Sequence, residues 1–135
     1  MKELLAASIY LAEAGGIELV KIHSKGAAAM KTAEKTGKSD LVTAGDHASH
    51  DIMYHGMKNA FPRLMVISEE GQDQRDPPSS IGNVKLVNSR LNRILVSDEL
   101  IPIEDITILI DPLDATKEYT EGKKSFLSFV ERNFF

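Results

Sequence analysis

Helical periodicity ahead of Pro62 and short β-branched runs behind it predict an α+β domain, with helices early and strands late. Two runs carry the strand signal, Leu64-Met65-Val66-Ile67 and Ile106-Thr107-Ile108-Leu109-Ile110, and both are too short for ordinary helices. At 135 residues the chain fits one domain, large enough to bury a core without staples.

From Met1 to about Thr36, the residues Leu4, Leu5, Ile9, Leu11, Ala12, Ile17, Val20 and Ile22 form a helical stripe and predict one long helix of the core scaffold. Gly15-Gly16 would cost about 2 kcal/mol against two alanines, so a close packing contact or a kink is expected there. Lys31 to Asp40 reads as an exposed polar loop, and Leu41-Val42-Thr43 as a short extended segment. A second helical pattern follows Asp46, with Ile52, Met53, Gly56, Met57 and Ala60, and ends at Phe61-Pro62. Alone, Asp46 would most simply cap that helix. His47, His50 and His55 lie near Asp46 and Asp51, and a helical histidine pair can bind zinc. With no third ligand at a recognisable spacing, a solvated polar face is expected instead.

The first strand, read as buried, ends in Ser68-Glu69-Glu70-Gly71. Gln72 to Gly82, with Pro77-Pro78, reads as a surface loop, and Val84 to Pro102 as ordered chain of no definable type. Ser125 to Val130 reads as the start of a further strand. Two terminal phenylalanines, Phe134 and Phe135, are unusual for a free end and point to a truncated chain.

Composition narrows the function. The formal charge of -4, with scattered Lys and Arg, argues against a nucleic-acid surface. Cysteine is absent, which removes disulfides, thiolate metal sites and thiol nucleophiles. No run approaches the ~20 apolar residues of a membrane span, and the N-terminus lacks the layout of a signal peptide.

The chemistry is concentrated where the second strand stops. Asp111 and Asp114 stand three apart, with Thr116 just beyond. Pro112 holds Asp111 in an extended backbone, which places Asp111 at the last strand residue and Asp114 on the following turn. Asp114 is then suited to cap a helix through Lys117-Glu118-Tyr119, whose first amides would face an anion. If the two strands are neighbours, Glu69 and Glu70 converge on the same corner.

Val42-Thr43-Ala44-Gly45-Asp46, Ile67-Ser68-Glu69-Glu70 and Ile110-Asp111-Pro112-Leu113-Asp114-Ala115-Thr116 resemble, in order and spacing, the N-terminal motifs of the magnesium-dependent, lithium-sensitive phosphatase superfamily that includes inositol monophosphatases. The continuation Lys117-Glu118-Tyr119-Thr120-Glu121, with Ala115 where many relatives carry glycine, is most similar to the Golgi-resident bisphosphate nucleotidase branch. The resemblance covers Met1 to about Lys124. It implies a unit at 1–124 with layered architecture, helices packed on a largely antiparallel sheet, and a truncated strand start and divergent tail at 125–135.

The resemblance also assigns roles. Glu69, Asp111 and Asp114 match carboxylate ligands of two or more Mg²⁺ ions, and Leu113 a ligand through its carbonyl. Asp46 and Thr116 match the pair that activates the attacking water, so that Asp46, Thr116 and Glu69 form the implied catalytic set. Ala115 and Thr116 match amides that hold the phosphate, and Glu70 stands behind the ligands. The implied substrate is a small phosphate ester, 3′-phosphoadenosine 5′-phosphate or a related bisphosphate nucleotide, with an inositol phosphate as the alternative. Such chemistry needs a water made nucleophilic at neutral pH and charge relief on the leaving oxygen, which ions about 3.5–4 Å apart supply. Hard Mg²⁺ takes carboxylate, carbonyl and water oxygens, the donors at hand.

Family members are expected to be roughly twice as long, as the domain-size range allows for a two-part enzyme. Their second part brings a further aspartate and the nucleoside-recognising residues, so this chain alone is expected to be slow or inactive. Location follows the branch to the Golgi lumen, or to the cytoplasm if the branch's anchor is truly absent. A homo-oligomer is left open.

Three rival readings differ in specific residues. A haloacid-dehalogenase-type phosphatase would use Asp111 as a covalent nucleophile, but its aspartates are two apart. A P-loop is set aside because Gly37-Lys38-Ser39 lacks the upstream glycine and strand. A non-catalytic fragment could bind divalent cations, or a partner through an exposed sheet edge.

Overall fold

The computed structural model describes residues 1–30, 38–71, 81–93, 101–114 and 127–134, with side chains described for 1–25, 44–71, 81–91, 93 and 101–114. Helix α1 spans Lys2–Met30 and α2 spans Lys38–Ala60. Strands β1 (Met65–Ser68), β2 (Ile106–Asp114) and β3 (Leu127–Phe134) form one sheet in the order β1-β2-β3. Helices come first and strands later, the α+β order expected.

The long first helix forms, but its buried face is narrower than its apolar content. Leu4, Ala7, Leu11, Gly15 and Leu19 are buried, whereas Ile17 and Val20 are 57% and 52% exposed. The buried row advances by three or four residues, as one helix face must, and Ile17 and Val20 fall off it. Helix α2 begins well before Asp46. Leu41-Val42-Thr43 is therefore helical rather than extended, and Asp46 lies inside the helix rather than at its cap. No proline interrupts 38–60, and Gly45 costs only about 1 kcal/mol once a helix is propagating.

The two helices meet at close range. A Cβ placed on Gly56 of α2 would overlap the Leu11 side chain of α1, itself 1% exposed. Beneath them, α2 packs on β1 and β2. The shared core comprises Leu4, Ala7, Leu11, Met53, Met57, Leu64, Val66, Ile106, Ile108 and Ile110. Strand β1 is buried on one face only: Val66 and Ser68 point inward, while Met65 and Ile67 are 54% and 50% exposed. Its period-two alternation corrects the expectation of a strand buried throughout.

The sheet is mixed. Strand β1 runs parallel to β2, with Val66 opposite Ile108 and Ser68 opposite Ile110. Strand β3 runs antiparallel to β2, with Ile110 opposite Val130 and Ile106 opposite Phe134. A largely antiparallel sheet is thus not what the described strands form. A parallel pair needs a crossover of a dozen or more residues, and the chain from Glu69 to Asp105 supplies one. Within that crossover, 81–90 has no regular element and Leu91–Arg93 and Ile103–Asp105 are short 3₁₀ turns.

Strand β2 continues past the expected stop at Asp111. Its register against β3 breaks between Asp111 and Asp114, a bulge-type irregularity, and Pro112 and Leu113 are consecutively buried where alternation should hold. Proline has no N–H for the ladder, so a bulge is where a strand accepts it.

Gly56→Ala tests the close helix contact. Overpacking against Leu11 should lower unfolding free energy by about 1–3 kcal/mol in denaturant titration. Intrinsic propensity alone would raise it by about 1 kcal/mol, and such a gain would contradict the contact.

Candidate active site

The acids converge because β1 and β2 are parallel neighbours. Ser68 sits opposite Ile110, and the next N–H, that of Glu69, donates to the Ile110 carbonyl at 3.0 Å. One step further along this register Glu69 lies beside Asp111. The chain then turns sharply. The Gly71 N–H donates to the Ser68 carbonyl at 3.0 Å, and Gly71 takes a φ of +85°, where a side chain would be strained. Glu69 and Glu70 are carried at the tip of that turn.

The electrostatics record the crowding. Asp111 holds the Glu69 carboxyl above its ordinary range through like-charge repulsion, reinforced by burial, a hydrogen bond between the two carboxyls, and Glu70. Asp46 reaches the same corner from α2. Its carboxyl is pushed up to about 6, first by burial, then by Glu70 and Glu69, with Asp111 adding and His47 opposing. His47 Nδ1 stands 3.7 Å from Glu70 Oε2. Asp46, Glu69, Glu70 and Asp111 therefore form one acidic cluster, and Glu70 has a larger influence on Asp46 than its expected background role implied.

The bulge arranges the rest. The Leu113 N–H donates to Asp111 Oδ1 at 3.2 Å, a local turn in which the aspartate caps its own chain two residues on. Leu113 is buried and Asp114 is exposed at the end of β2, opposite Leu127. Ala115 and Thr116, with the helix expected after Asp114, lie outside the described residues. Among the described residues, no three His, Asp or Glu side chains are already spaced to hold a metal ion. The chemistry of the donor set nonetheless fits a hard cation: two carboxyls close enough to share a proton can share a divalent ion instead.

The histidine face of α2 is not solvated as expected. His50 and His55 are buried, and His50 Nδ1 is hydrogen-bonded to Ser68 Oγ at 2.8 Å. The His50 ring stacks on Tyr54 with centroids 5.2 Å apart. Beside it, buried Ser49 Oγ donates to the Pro112 carbonyl at 2.9 Å. From sequence, Ser49 and Ser68 had no role and His50 was set aside as part of a solvated face. Their signal was positional, since Ser49 and His50 follow Asp46 by three and four residues and so share its helix face.

A helical layer over a mixed sheet with carboxylates at adjoining strand ends defines an acidic, cation-suited centre of the α/β-layered type. Solved structures share that fold: inositol monophosphatase II of Staphylococcus aureus MSSA476 superposes with a TM-score of 0.62 at 18% identity, over 97% of this chain and 37% of that one. The extragenic suppressor protein suhB of Bartonella henselae gives 0.59 at 17% identity, over 96% and 38%. Residues 1–127 match the sequence profile of the inositol monophosphatase family, and the chain belongs to that family. It is 35% identical over 130 residues to the Golgi-resident adenosine 3′,5′-bisphosphate 3′-phosphatase of Rattus norvegicus, covering 95% of this chain and 36% of that protein. It is 37% identical to inositol monophosphatase 3 of Xenopus tropicalis, with the same coverage. At 36% the chain spans little more than a third of these relatives, less than the half expected.

The raised Asp46 carboxyl carries a definite sign. Its protonated form stabilises the cation-free fold below the ordinary value of 3.8, and that contribution is lost as pH rises through about 6. Thermal midpoints in chelator should therefore show Asp46→Asn gaining on the parent protein between about pH 4 and pH 6. Parallel curves across that interval would show that Asp46 does not feel the cluster.

Proposed function

We propose that this chain carries the acidic centre of a Mg²⁺-dependent phosphomonoesterase. The observation that bears most of the weight is the Glu69–Asp111 pair, brought together by the β1–β2 register so that its like-charge repulsion is relieved only by a shared proton or a counter-ion. Glu69, Asp111 and Asp114 are the proposed carboxylate ligands, and the Leu113 carbonyl a neutral one. When bound, Mg²⁺ would supply a water activated at neutral pH and charge relief on the leaving oxygen. Asp46 is proposed to take the proton that the Thr116 hydroxyl relays from the attacking water. The amides of Ala115 and Thr116 are proposed to hold the phosphate oxygens. The turn that carries Glu69 and Glu70 leaves both exposed, so substrate and ions can approach from solvent.

The proposed substrate is a bisphosphate nucleotide of the 3′-phosphoadenosine 5′-phosphate class. Support comes from the 3′-phosphatase relatives and from the Lys117-Glu118-Tyr119 continuation of the motif. Inositol phosphates are the second reading, supported by relatives of equal similarity that carry the name inositol monophosphatase 3. Residence in the Golgi lumen is proposed on the same relatives. No helix among the described residues is long and apolar enough to cross a membrane.

Calorimetric titration with Mg²⁺, followed by phosphate-release assays, tests the reading. The chain should bind Mg²⁺, and Asp111→Asn should weaken binding and any turnover by at least about a hundredfold, roughly 3 kcal/mol. Release from 3′-phosphoadenosine 5′-phosphate should exceed that from an inositol monophosphate, and the reverse order would move the reading to inositol phosphates. Absence of Mg²⁺ binding would defeat the metal-dependent reading.

A further inference from the structure

Ser49 and His50 are 0% and 1% exposed, neighbours in sequence, and polar at positions where a helix that needed only to pack would carry apolar side chains. Burying a hydroxyl and an imidazole is unfavourable unless each finds a partner. Each partner lies on a different acid-bearing strand. Ser49 Oγ donates to the carbonyl of Pro112, the residue between Asp111 and Leu113. His50 Nδ1 is bonded to Ser68 Oγ, one residue ahead of Glu69. Both side chains share a helix face with Asp46.

We propose that Ser49 and His50 are positioning residues that brace the two acidic strand ends against Asp46 and so set the spacing of the cation ligands. The ligand half of this statement rests on the metal-dependent reading above; the bracing half does not. These two bonds tie α2 to the bulge at Pro112 and to the last residue of β1 at the depth of the core. The bulge interrupts the β2–β3 ladder where Asp111 and Asp114 sit, so strand pairing alone holds that segment loosely. A hydrogen bond from a rigid helix replaces the missing constraint, as outer-shell bonds do around metal ligands.

The brace extends to the other helix. A Cβ on Gly15 of α1 would lie 2.7 Å from Ser49 Oγ, closer than any non-bonded carbon can approach. Gly15 therefore leaves the space in which the Ser49 hydroxyl points at Pro112. A methyl group added at Gly15, on a helix that supplies none of the proposed ligands, should reach the acids through Ser49.

The experiment uses the full chain and two readouts. Mn²⁺ alone serves as probe in an electron-paramagnetic-resonance titration. Amide hydrogen exchange without metal follows Glu69 and Leu113, whose N–H groups bond to the Ile110 carbonyl and Asp111 Oδ1, with buried Leu11 as internal reference. Ser49→Ala and His50→Phe should each raise the Mn²⁺ dissociation constant about tenfold or more, within the range of outer-shell substitutions. Protection at Leu113 (Ser49→Ala) or Glu69 (His50→Phe) should fall about tenfold more than at Leu11. Ser49→Thr and His50→Asn, which keep a hydrogen-bonding group, should recover most of both losses. Gly15→Ala should reproduce Ser49→Ala, and the double variant should be no worse than Ser49→Ala alone, because both act through one bond.

A merely structural role predicts otherwise: equal loss of protection at Leu11, Leu113 and Glu69, no selective change in Mn²⁺ binding and no recovery by the conservative variants. That pattern overturns the proposal. Should the parent chain bind no Mn²⁺, the ligand reading fails, and the exchange ratios still decide the brace by themselves. Should Ser49→Ala not fold, Gly15→Ala and Ser49→Thr carry the same comparison.

Discussion

Parallel pairing of β1 with β2 places Ser68 against Ile110, and from that single register two carboxylates, Glu69 and Asp111, must emerge side by side. Like charges at hydrogen-bond range are costly, and strand ends are free to diverge. These do not diverge. The Glu69 N–H stays bonded to the Ile110 carbonyl, and the Ser68–Gly71 turn directs Glu70 toward the same corner, where it meets Asp46. The fold keeps an unfavourable charge arrangement in place, which is expected where function rather than stability sets the geometry.

The layers above the sheet make that arrangement affordable. Leu11 against Gly56 brings α1 close to α2, and Met53 and Met57 seat α2 on Val66 and Ile108 in one core. A rigid α2 then presents three groups on one face: Asp46 toward the acids, Ser49 toward Pro112 and His50 toward Ser68. Apolar packing fixes where the helix sits, and the two buried hydrogen bonds fix its register against the strand ends.

The acids were legible in the sequence because their signal is local. Asp111 and Asp114 follow a β-branched run, and Glu69 follows another, so each is marked by its own neighbours. The order of helices and strands was legible for the same reason. The strand directions were not, since parallel or antiparallel pairing depends on a crossover with no local signature. The start of α2 was misjudged because Leu41-Val42-Thr43 is β-branched enough to suggest extension, and tertiary context overrode propensity. His50 was misassigned to solvent because its partner Ser68 lies 18 residues away. Ser49 was invisible for a stronger version of that reason, its acceptor being 63 residues distant.

The central claim is that Asp46, Glu69, Glu70 and Asp111 surround one cation-binding corner. Paramagnetic broadening of backbone amide signals by substoichiometric Mn²⁺ tests it most directly. The amides of Asp46, Glu69, Glu70 and Asp111 to Asp114 should broaden first and most strongly, with Glu3 on α1 and Glu104 ahead of β2, both far from the acidic strand ends, least affected. Broadening centred on α1, or spread evenly over exposed acids, would contradict it.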